Sequence, residues 1–476
     1  MKFLIPIILI FGLFACSGSN QKSLQDSFTS FVQSNDKIVG FGSIRIKDIL
    51  TKADYTKIPK YGPLLASQLA AFSGTVDFEK PLYFAVEGPF DIEGYPAALY
   101  LFAESKNQDS VTNKLKSFGF DMIKNEEGKY NYYQDKEFSI SVKESLLVGV
   151  LKPKTTEFKG LLSKIYDQAS IDVKDDKIKQ FIDTKSDIVA GINLESLYST
   201  SNTDLEKLPK DKKQALLSMV KGSFVLNSLN FKAGELELKI QNFFSSALTQ
   251  KIPLKNSSSS EILKKIGSGE PRLGLLLNFD FLKLNSLMEE FNLQDEYAQL
   301  AKNFSEKELT SNEIFGDILN GQFGMVAYDE MMEEGGMTPV GNLFVGFGKQ
   351  GKTGFEKLNV PGAGLLQKDI FENHALFYLS ENFKPSDNQI KVPQGCENFG
   401  MKPISGYAYL DGLAIEEFEL GEEFKFIEKI DHIYFEYGQD GGVLKVRSID
   451  SKTNFLKQSV DQALTQLSEM LIKMVL

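Results

Sequence analysis

Tryptophan is absent from this 476-residue chain, and three other chemistry-bearing residues are nearly so. Arginine occurs only at 45, 272 and 447, histidine at 374 and 432, and cysteine at 16 and 396. Each scarcity removes a class of function. Without Trp, the usual stacking platform of a sugar cleft is missing. With three arginines, bidentate forks for carboxylate or phosphate are scarce. His374 and His432, on candidate strands (NHALFYL and DHIYFEY), read as half-exposed structural residues. With one further thiol they do not form the ligand clusters that zinc requires, so no metal is expected. No G-x-S-x-G elbow and no Ser-His-Asp order occurs. Positive charge is also in deficit: 53 Lys and Arg against 64 Asp and Glu leave a net −11. Such a chain repels nucleic acid and anionic surfaces, and nucleic acid is not an expected partner.

Long apolar runs are missing too, apart from Phe3 to Phe14 at the start. That run is short of the roughly 20 residues of a spanning helix. With Lys2 ahead of it, it has the form of an export signal. Leu13-Phe14-Ala15-Cys16 resembles the lipobox of bacterial lipoproteins, in which the Cys thiol is acylated and becomes the new N-terminus. Cys16 is therefore the expected lipidation site and the membrane the expected partner of its acyl chains. One chain binds a bilayer reversibly, and several anchor it stably. Ser17 is not the Asp that retains lipoproteins at the inner membrane in enteric bacteria. The resemblance thus implies the outer membrane. The tether lacks the acidic run that some bacteria use as a surface-export signal, so the body is expected to face the periplasm, with surface exposure as the alternative. With Cys16 committed to lipid, Cys396 has no partner for an intramolecular disulfide. It lies in PQGCENFG, far in sequence from either His, and reads as an inert thiol.

What is abundant is a pattern stated four times: an apolar stretch containing Gly, a polar break, then a Leu-rich helix start. It appears as IVGFGSIRIKDIL from Ile38, DIVAGINLESLYS from Asp187, RLGLLLNFDFLKL from Arg272 and ISGYAYLDGLAIEEF from Ile404. PLYFAVEG with AALYLFAES, and GQFGMVAYDE with GNLFVGFGK, have the alternation and turns of hairpins in matching places. IDHIYFEYGQDGGVLKVRSI has the same form, and FVLNSLNFKAGELELKIQNFF gives two more strands. The segment from Ser451 carries Phe455, Val460, Leu464, Leu467 and Leu471 at helical spacing. Strands linked by hairpins imply an α+β fold of mostly antiparallel sheets, internally duplicated. The expected segments are a signal peptide (1–15), a polar tether (16–35), a first repeat (36–254), a Ser- and Gly-rich linker (255–271) interrupted by a short helical turn, and a second repeat (272–476).

The lipobox, the duplication and the strand–break–helix openings together resemble an uncharacterised family of Gram-negative bacterial lipoproteins, a domain of unknown function. The resemblance spans nearly the whole mature chain. It implies a lipid-anchored α+β protein and brings neither catalytic residues nor a ligand.

GFGKQGKT, Gly346 to Thr353, fits the phosphate-loop pattern through Gly346, Gly351, Lys352 and Thr353. Its first six residues also fit the dinucleotide fingerprint G-x-G-x-x-G. A phosphate loop needs a strand, amides free to cradle phosphate, a sustained helix and a Mg2+-binding Asp, for which Asp411 is the candidate. Here Gly354 and Pro361 interrupt the helix, and Glu195 stands where the first half would need that Asp. The matching turn of the first half, ESKNQDSV, has no glycine. The loop is therefore expected to be a strand exit that imitates a phosphate loop, with no cofactor bound. Asp329, Glu330, Glu333 and Glu334 in DEMMEEGG read as a solvated acidic hairpin rather than a cation site. The leading expectation is a non-enzymatic binding or scaffold protein of the envelope, with an envelope protein, glycan or lipid as partner. The alternatives are an envelope hydrolase using scattered carboxylates and, more remotely, nucleotide binding at 346–353.

Overall fold

Strand β1 (Ile38–Ile44) shows how both halves are built. β-Branched and aromatic residues suit a pleated backbone, and Ile38, Val39 and Phe41 are buried. Gly42 supplies room: a methyl group there would lie 2.4 Å from the ring of Phe84 on the adjoining strand and 2.2 Å from the Val189 carbonyl oxygen. The other three repeat openings use the same device. Gly191 in β8 (Ile188–Asn193) seats Phe224, Gly274 in β11 (Leu273–Asn278) seats Tyr407, and Gly406 in β16 (Ile404–Tyr409) seats Phe435. Helices Ile46–Lys52, Leu194–Thr200 and Phe281–Glu290 follow the first three of these strands. The segment from Asp411, after β16, lies outside the described residues.

A computed structural model of the chain describes residues 23–58, 62–91, 93–117, 122–124, 131–134, 138–151, 159–167, 173, 175–200, 209–305, 309–331, 337–359, 366–385, 390–410 and 427–463. The chain divides into two compact units, one of 1–236 with 452–476 and one of 237–451. Among the described residues no helix is long and apolar enough to cross a membrane.

In the first unit, β1 is flanked by β2 (Leu82–Phe90) and β8. Beyond β2 come β3 (Pro96–Glu104), β7 (Leu146–Leu151) and β6 (Phe138–Lys143), then β5 (Asn131–Gln134) and β4 (Met122–Lys124). Beyond β8 comes β9 (Phe224–Lys232). In the second unit, β11 is flanked by β12 (Leu319–Met331) and β16. Beyond β12 come β13 (Met337–Phe347), β15 (His374–Tyr378) and β14 (Gln367–Ile370). Beyond β16 come β17 (Ile430–Gly438), β18 (Gly441–Ser448) and β10 (Glu235–Phe243). The order β6-β7-β3-β2-β1-β8-β9 thus recurs as β14-β15-β13-β12-β11-β16-β17, antiparallel at every step. The fold is α+β and its topology is stated twice, with β4 and β5 as an addition to the first statement.

Each sheet is covered on both faces. In the first unit, Phe28 and Phe31 of helix Leu24–Ser34 pack on Tyr83 and Tyr100, each pair with ring centroids 4.8 Å apart. Opposite them, Val111 and Leu115 of helix Gln108–Ser117 pack with Leu82, Leu101 and Leu147. In the second unit, Ile262 and Ile266 of helix Ser260–Ile266 join Leu276, Tyr407 and Tyr434. On its other face Phe281, Ile314 and Phe355 join Val345 and Phe377.

These contacts redraw three of the expected segments. Residues 24–34, inside the expected tether, form a helix whose Phe28 is fully buried. Residues 260–266, inside the expected linker, form the corresponding helix of the second half. The repeat therefore begins with a helix ahead of its first strand in both halves. The first has too few apolar residues among Ser, Gln and Asp to stand out in the sequence, and the second is the short helical turn expected within the linker, longer and packed into the core. The final segment also moves. Residues 452–476 belong with the first unit, through a bridge between Ala233 and Asn454. Residues 455–463 are helical as the spacing predicts, while Leu464, Leu467 and Leu471 lie outside the described residues.

If the glycine seats hold the sheets, Gly42→Ala should lower stability by about 1–3 kcal/mol through overpacking. Gly74→Ala, at a position with nothing within 4 Å of the added methyl, should change it by less than about 0.5 kcal/mol. Urea unfolding of the two variants measures the difference.

Candidate functional site

The glycine-rich loop emerges from the end of β13, and its glycines answer to the neighbouring chain. A methyl at Gly346 would lie 2.5 Å from Asn320 Oδ1, and one at Gly348 2.6 Å from the Asp317 carbonyl oxygen. Two of the amides that would cradle a phosphate are donated to backbone carbonyls. The Gly348 N–H goes to Ile318 O at 2.7 Å and the Gln350 N–H to Asp317 O at 2.9 Å. The following helix, Gly351–Phe355, has five residues, and its Phe355 stacks on Phe347 at 4.4 Å. Lys352 and Thr353 are exposed, and Lys352 lies 4.0 Å from Glu356. In the first half the same exit is held by a side chain instead, with Asn107 Oδ1 accepting from the Asp109 and Ser110 amides. Glu195 accepts the Gly222 N–H at 3.0 Å, a turn-fixing role.

Cys396 is fully buried within the cluster formed by Ile262, Tyr407 and Tyr434. Burial, opposed by the Arg447 charge, pushes its thiol up to about 12, far from the depressed value of a nucleophile. Both histidines are buried rather than half-exposed, at 8% for His374 and 2% for His432. Strand alternation assigns each to a face but does not reveal that helices and loops cover it. His374 stacks between Phe344 and Phe371, with centroids at 5.1 and 4.4 Å, and its Nδ1 lies 2.7 Å from Asn373 Oδ1. Burial first, and the Lys265 charge second, lower its pKa to about 4.

The carboxylates are tied singly. Asp187 is 3% exposed and receives Lys52 Nζ at 2.7 Å and the Phe231 N–H at 2.7 Å. Glu87 accepts from Tyr100, and Glu436 accepts from Tyr434 at 2.6 Å. Glu261, Glu313 and Glu397 are held below the usual carboxylate range, by Lys264, by the Thr310 amide and by the Gly395 amide respectively. A general acid needs the opposite shift. Among the described residues no three His, Cys, Asp or Glu are grouped to hold a metal ion. Asp329 and Glu330 lie on β12 and only their backbone is described, while Asp411, Glu333 and Glu334 fall outside the described residues.

A concave place among the described residues is one that sequence reasoning did not reach. A cavity of about 570 Å³ opens in the second unit, lined by Glu270, Arg272, Lys391, Pro393, Gln394 and Tyr409 among others. Strand register assembles its wall. Tyr409 donates its amide to the Arg272 carbonyl at 2.8 Å, Tyr409 pairs with His432, and His432 pairs with Arg447. Directly opposed residues share a face, so Arg272, Tyr409, His432 and Arg447 form one row across four strands. His432 Nδ1 lies 2.7 Å from Asp431 Oδ2, its ring is 5.0 Å from that of Tyr409, and its Nε2 has no hydrogen-bond partner among the described residues. The Arg447 guanidinium lies over Gly395, where a methyl would meet Nη1 at 2.0 Å. It thereby lies against the loop that supplies Pro393 and Gln394.

Two measurements test these assignments. Above pH 6.5 His374 is neutral folded or unfolded and adds no pH dependence. Between pH 6.5 and about 4 the unfolded chain takes up a proton that the folded chain refuses. Stability should fall over that window by about 2–3 kcal/mol on this account, and His374→Phe should flatten the fall in pH-dependent urea titrations. A fluorescent ATP analogue should show no saturable binding to the full chain. Saturable binding lost in the Lys349→Ala/Lys352→Ala double variant would restore the phosphate loop.

No family model matches the chain, and no curated protein does. Among solved structures it is similar to crystal form IV of TP0453, with a TM-score of 0.27 and 14% identity over 43% of this chain and 76% of that one. It is similar also to crystal form III of TP0453, with a TM-score of 0.28 and 10% identity over 48% of this chain and 82% of that one.

Proposed function

We propose that the protein is a lipoprotein of the cell envelope, acylated at Cys16, anchored to the outer membrane facing the periplasm, and acting there as a non-enzymatic binding or scaffold protein. One observation carries the non-enzymatic part. Within the described residues, the thiol, one imidazole and part of the glycine-rich loop that the sequence singles out are engaged in packing or in backbone hydrogen bonds. Cys396 is sealed in a core, His374 is sandwiched between rings, and the Gly348 and Gln350 amides are donated to carbonyls. The anchoring part rests on Leu13-Phe14-Ala15-Cys16. On this reading the attachment is close. The first packed helix starts at Leu24, capped by the Ser23 hydroxyl accepting the Asp26 N–H at 3.0 Å. From Cys16 to Ser23 the chain can reach about 25 Å at full extension. An envelope protein, glycan or lipid is the proposed class of partner.

Metabolic labelling with a palmitate analogue should mark the wild-type chain and leave Cys16→Ala unmarked, with the variant shifting from the membrane to the soluble fraction. Equal labelling of both would remove the anchor and the reading with it.

A further inference from the structure

The two copies of the repeat end differently at one sheet edge. In the first unit β6 and β7 close a hairpin with Lys143 opposite Leu146. The outer edge of β6 is taken by β5, with Tyr132, Tyr133 and Gln134 opposite Ser141, Ile140 and Ser139. In the second unit β14 and β15 close the matching hairpin, with the Phe371 N–H donated to the His374 carbonyl at 2.9 Å and Ile370 opposite Ala375. Counted back from the turn, Gln367, Lys368 and Asp369 hold the places of Ser139, Ile140 and Ser141. Among the described residues no strand lies beyond them. Hydrogen bonding between antiparallel strands alternates. With Phe371 turned to β15, Asp369 and Gln367 turn there too, and the N–H and C=O groups of Lys368 and Ile370 point out from the edge.

The side chains on this edge repeat the first copy with one ring missing. Leu366 and Ile370 pack at the margin of the core that contains Ile314, Val345 and Phe377. Lys368 lies between them on the same face by alternation, and it is exposed. In the first unit the corresponding flank is completed by Tyr133, fully buried opposite Ile140 in the cluster with Val111 and Leu147. On the other face Asp369 is held by Lys384 at 2.9 Å. Selection therefore falls on the residue opposite Lys368, where a ring would lie along the lysine stem and reach Leu366 and Ile370. A second copy of this chain does not fit the edge. Any two-fold that overlaps most of β14 with its copy sets Lys368 against Lys368 or Asp369 against Asp369, and like charges directly opposed are unfavourable.

We propose that the outer edge of β14 receives an extended segment of a partner protein as an added antiparallel strand. The segment is held by the outward backbone groups of Lys368 and Ile370 and carries an aromatic residue opposite Lys368. The proposal gives a partner class to the binding role inferred above and rests on that reading. The edge is only four residues long, and short edges resist indiscriminate pairing.

The test uses the full chain in nonionic detergent micelles and the β5 sequence as probe. A fluorescein-labelled peptide of residues 129–135, KYNYYQD, is followed by fluorescence anisotropy, which should rise saturably with protein. Lys368→Pro removes an outward N–H and leaves the bonds to β15 in place, since proline is tolerated on the open side of an edge strand. It should weaken binding about tenfold while melting within a few degrees of wild type. If Lys368→Pro does not fold, Lys368→Glu decides. It sets an anion against the ring at an exposed position and should weaken binding about threefold. A peptide N-methylated at Tyr133, which cannot complete the strand pair, should also bind about tenfold more weakly. No saturable binding by the wild type overturns the site. So does binding unchanged by the Lys368 variants, as when the peptide displaces β5 from β6, or binding unchanged by N-methylation. A wild-type dimer that Lys368→Pro makes monomeric overturns it as well, because a second copy would then occupy the edge. None of these readouts involves Cys16, so the anchor and the edge fail independently.

Discussion

A ring laid over a glycine is the contact on which the rest of the architecture depends. In β1, β8, β11 and β16, the four strands at the middle of the two sheets, a glycine leaves space that an aromatic side chain of the next strand fills. For Gly42 and Phe84, Gly274 and Tyr407, and Gly406 and Phe435, the two residues are direct cross-strand partners. Such a pair does two things at once. It buries a large apolar side chain, which on its own removes about 150–250 Å² from water. It also fixes register, because a slip of one residue would place the ring against a neighbour that has a Cβ and turn every side chain to the wrong face. With register set at the centre, the outer strands can add by hairpins, and both faces are left apolar enough to require helices on each side.

Covering both faces determines what happens to reactive groups. A thiol or imidazole on a half-open antiparallel sheet would meet water on one side. Here Cys396 and His374 lie beneath covering segments, and burial moves both away from their reactive forms: the thiol stays protonated and the imidazole neutral. The same economy explains the phosphate-loop imitation. A strand that must turn sharply against the 316–318 backbone needs glycines for clearance. The amides released at the turn are then claimed by the carbonyls of that same backbone. Opening a phosphate cradle would break two such bonds and leave Asp317 and Ile318 unsatisfied inside the fold, a cost of about 1–3 kcal/mol for each buried group.

The sheets were legible in the sequence because two independent signals agreed there. Period-two alternation marked the strands, and glycine marked the four central ones. The hairpins of β2 with β3, β12 with β13, and β17 with β18 follow from alternation and polar turns alone. The leading helix of each repeat was harder to see. Leu24, Phe28 and Phe31 have helical spacing, but they are embedded in a polar segment adjoining the lipobox and read as tether. Ile262 and Ile266 lie between serines and glycines, where a short helical turn was expected within a linker rather than the leading helix of a repeat. Burial of the histidines was not legible, because alternation reports a side and not its cover. The row Arg272, Tyr409, His432 and Arg447 was the least accessible, since its members come together only once the register of four strands is known.

The leading helix also gives the duplication a consequence for the proposed function. In the second unit it is an internal element, with the Ser259 N–H donated to the Gly400 carbonyl at 2.7 Å and its hydroxyl to the Pro403 carbonyl at 3.4 Å. In the first unit the same element carries the N-terminal segment that contains Cys16, and its Phe28 and Phe31 lie in the aromatic cluster with Tyr83, Tyr100 and Phe102. A pull on an acylated Cys16 would therefore be borne by the core of that unit and not by a loose domain edge. On the proposed reading, this element ties the anchor to one copy of the repeat. If Cys16 is acylated as proposed, the cavity lined by Arg272 and Tyr409 lies in the other copy, so that attachment and this concave surface fall on different copies of the repeat.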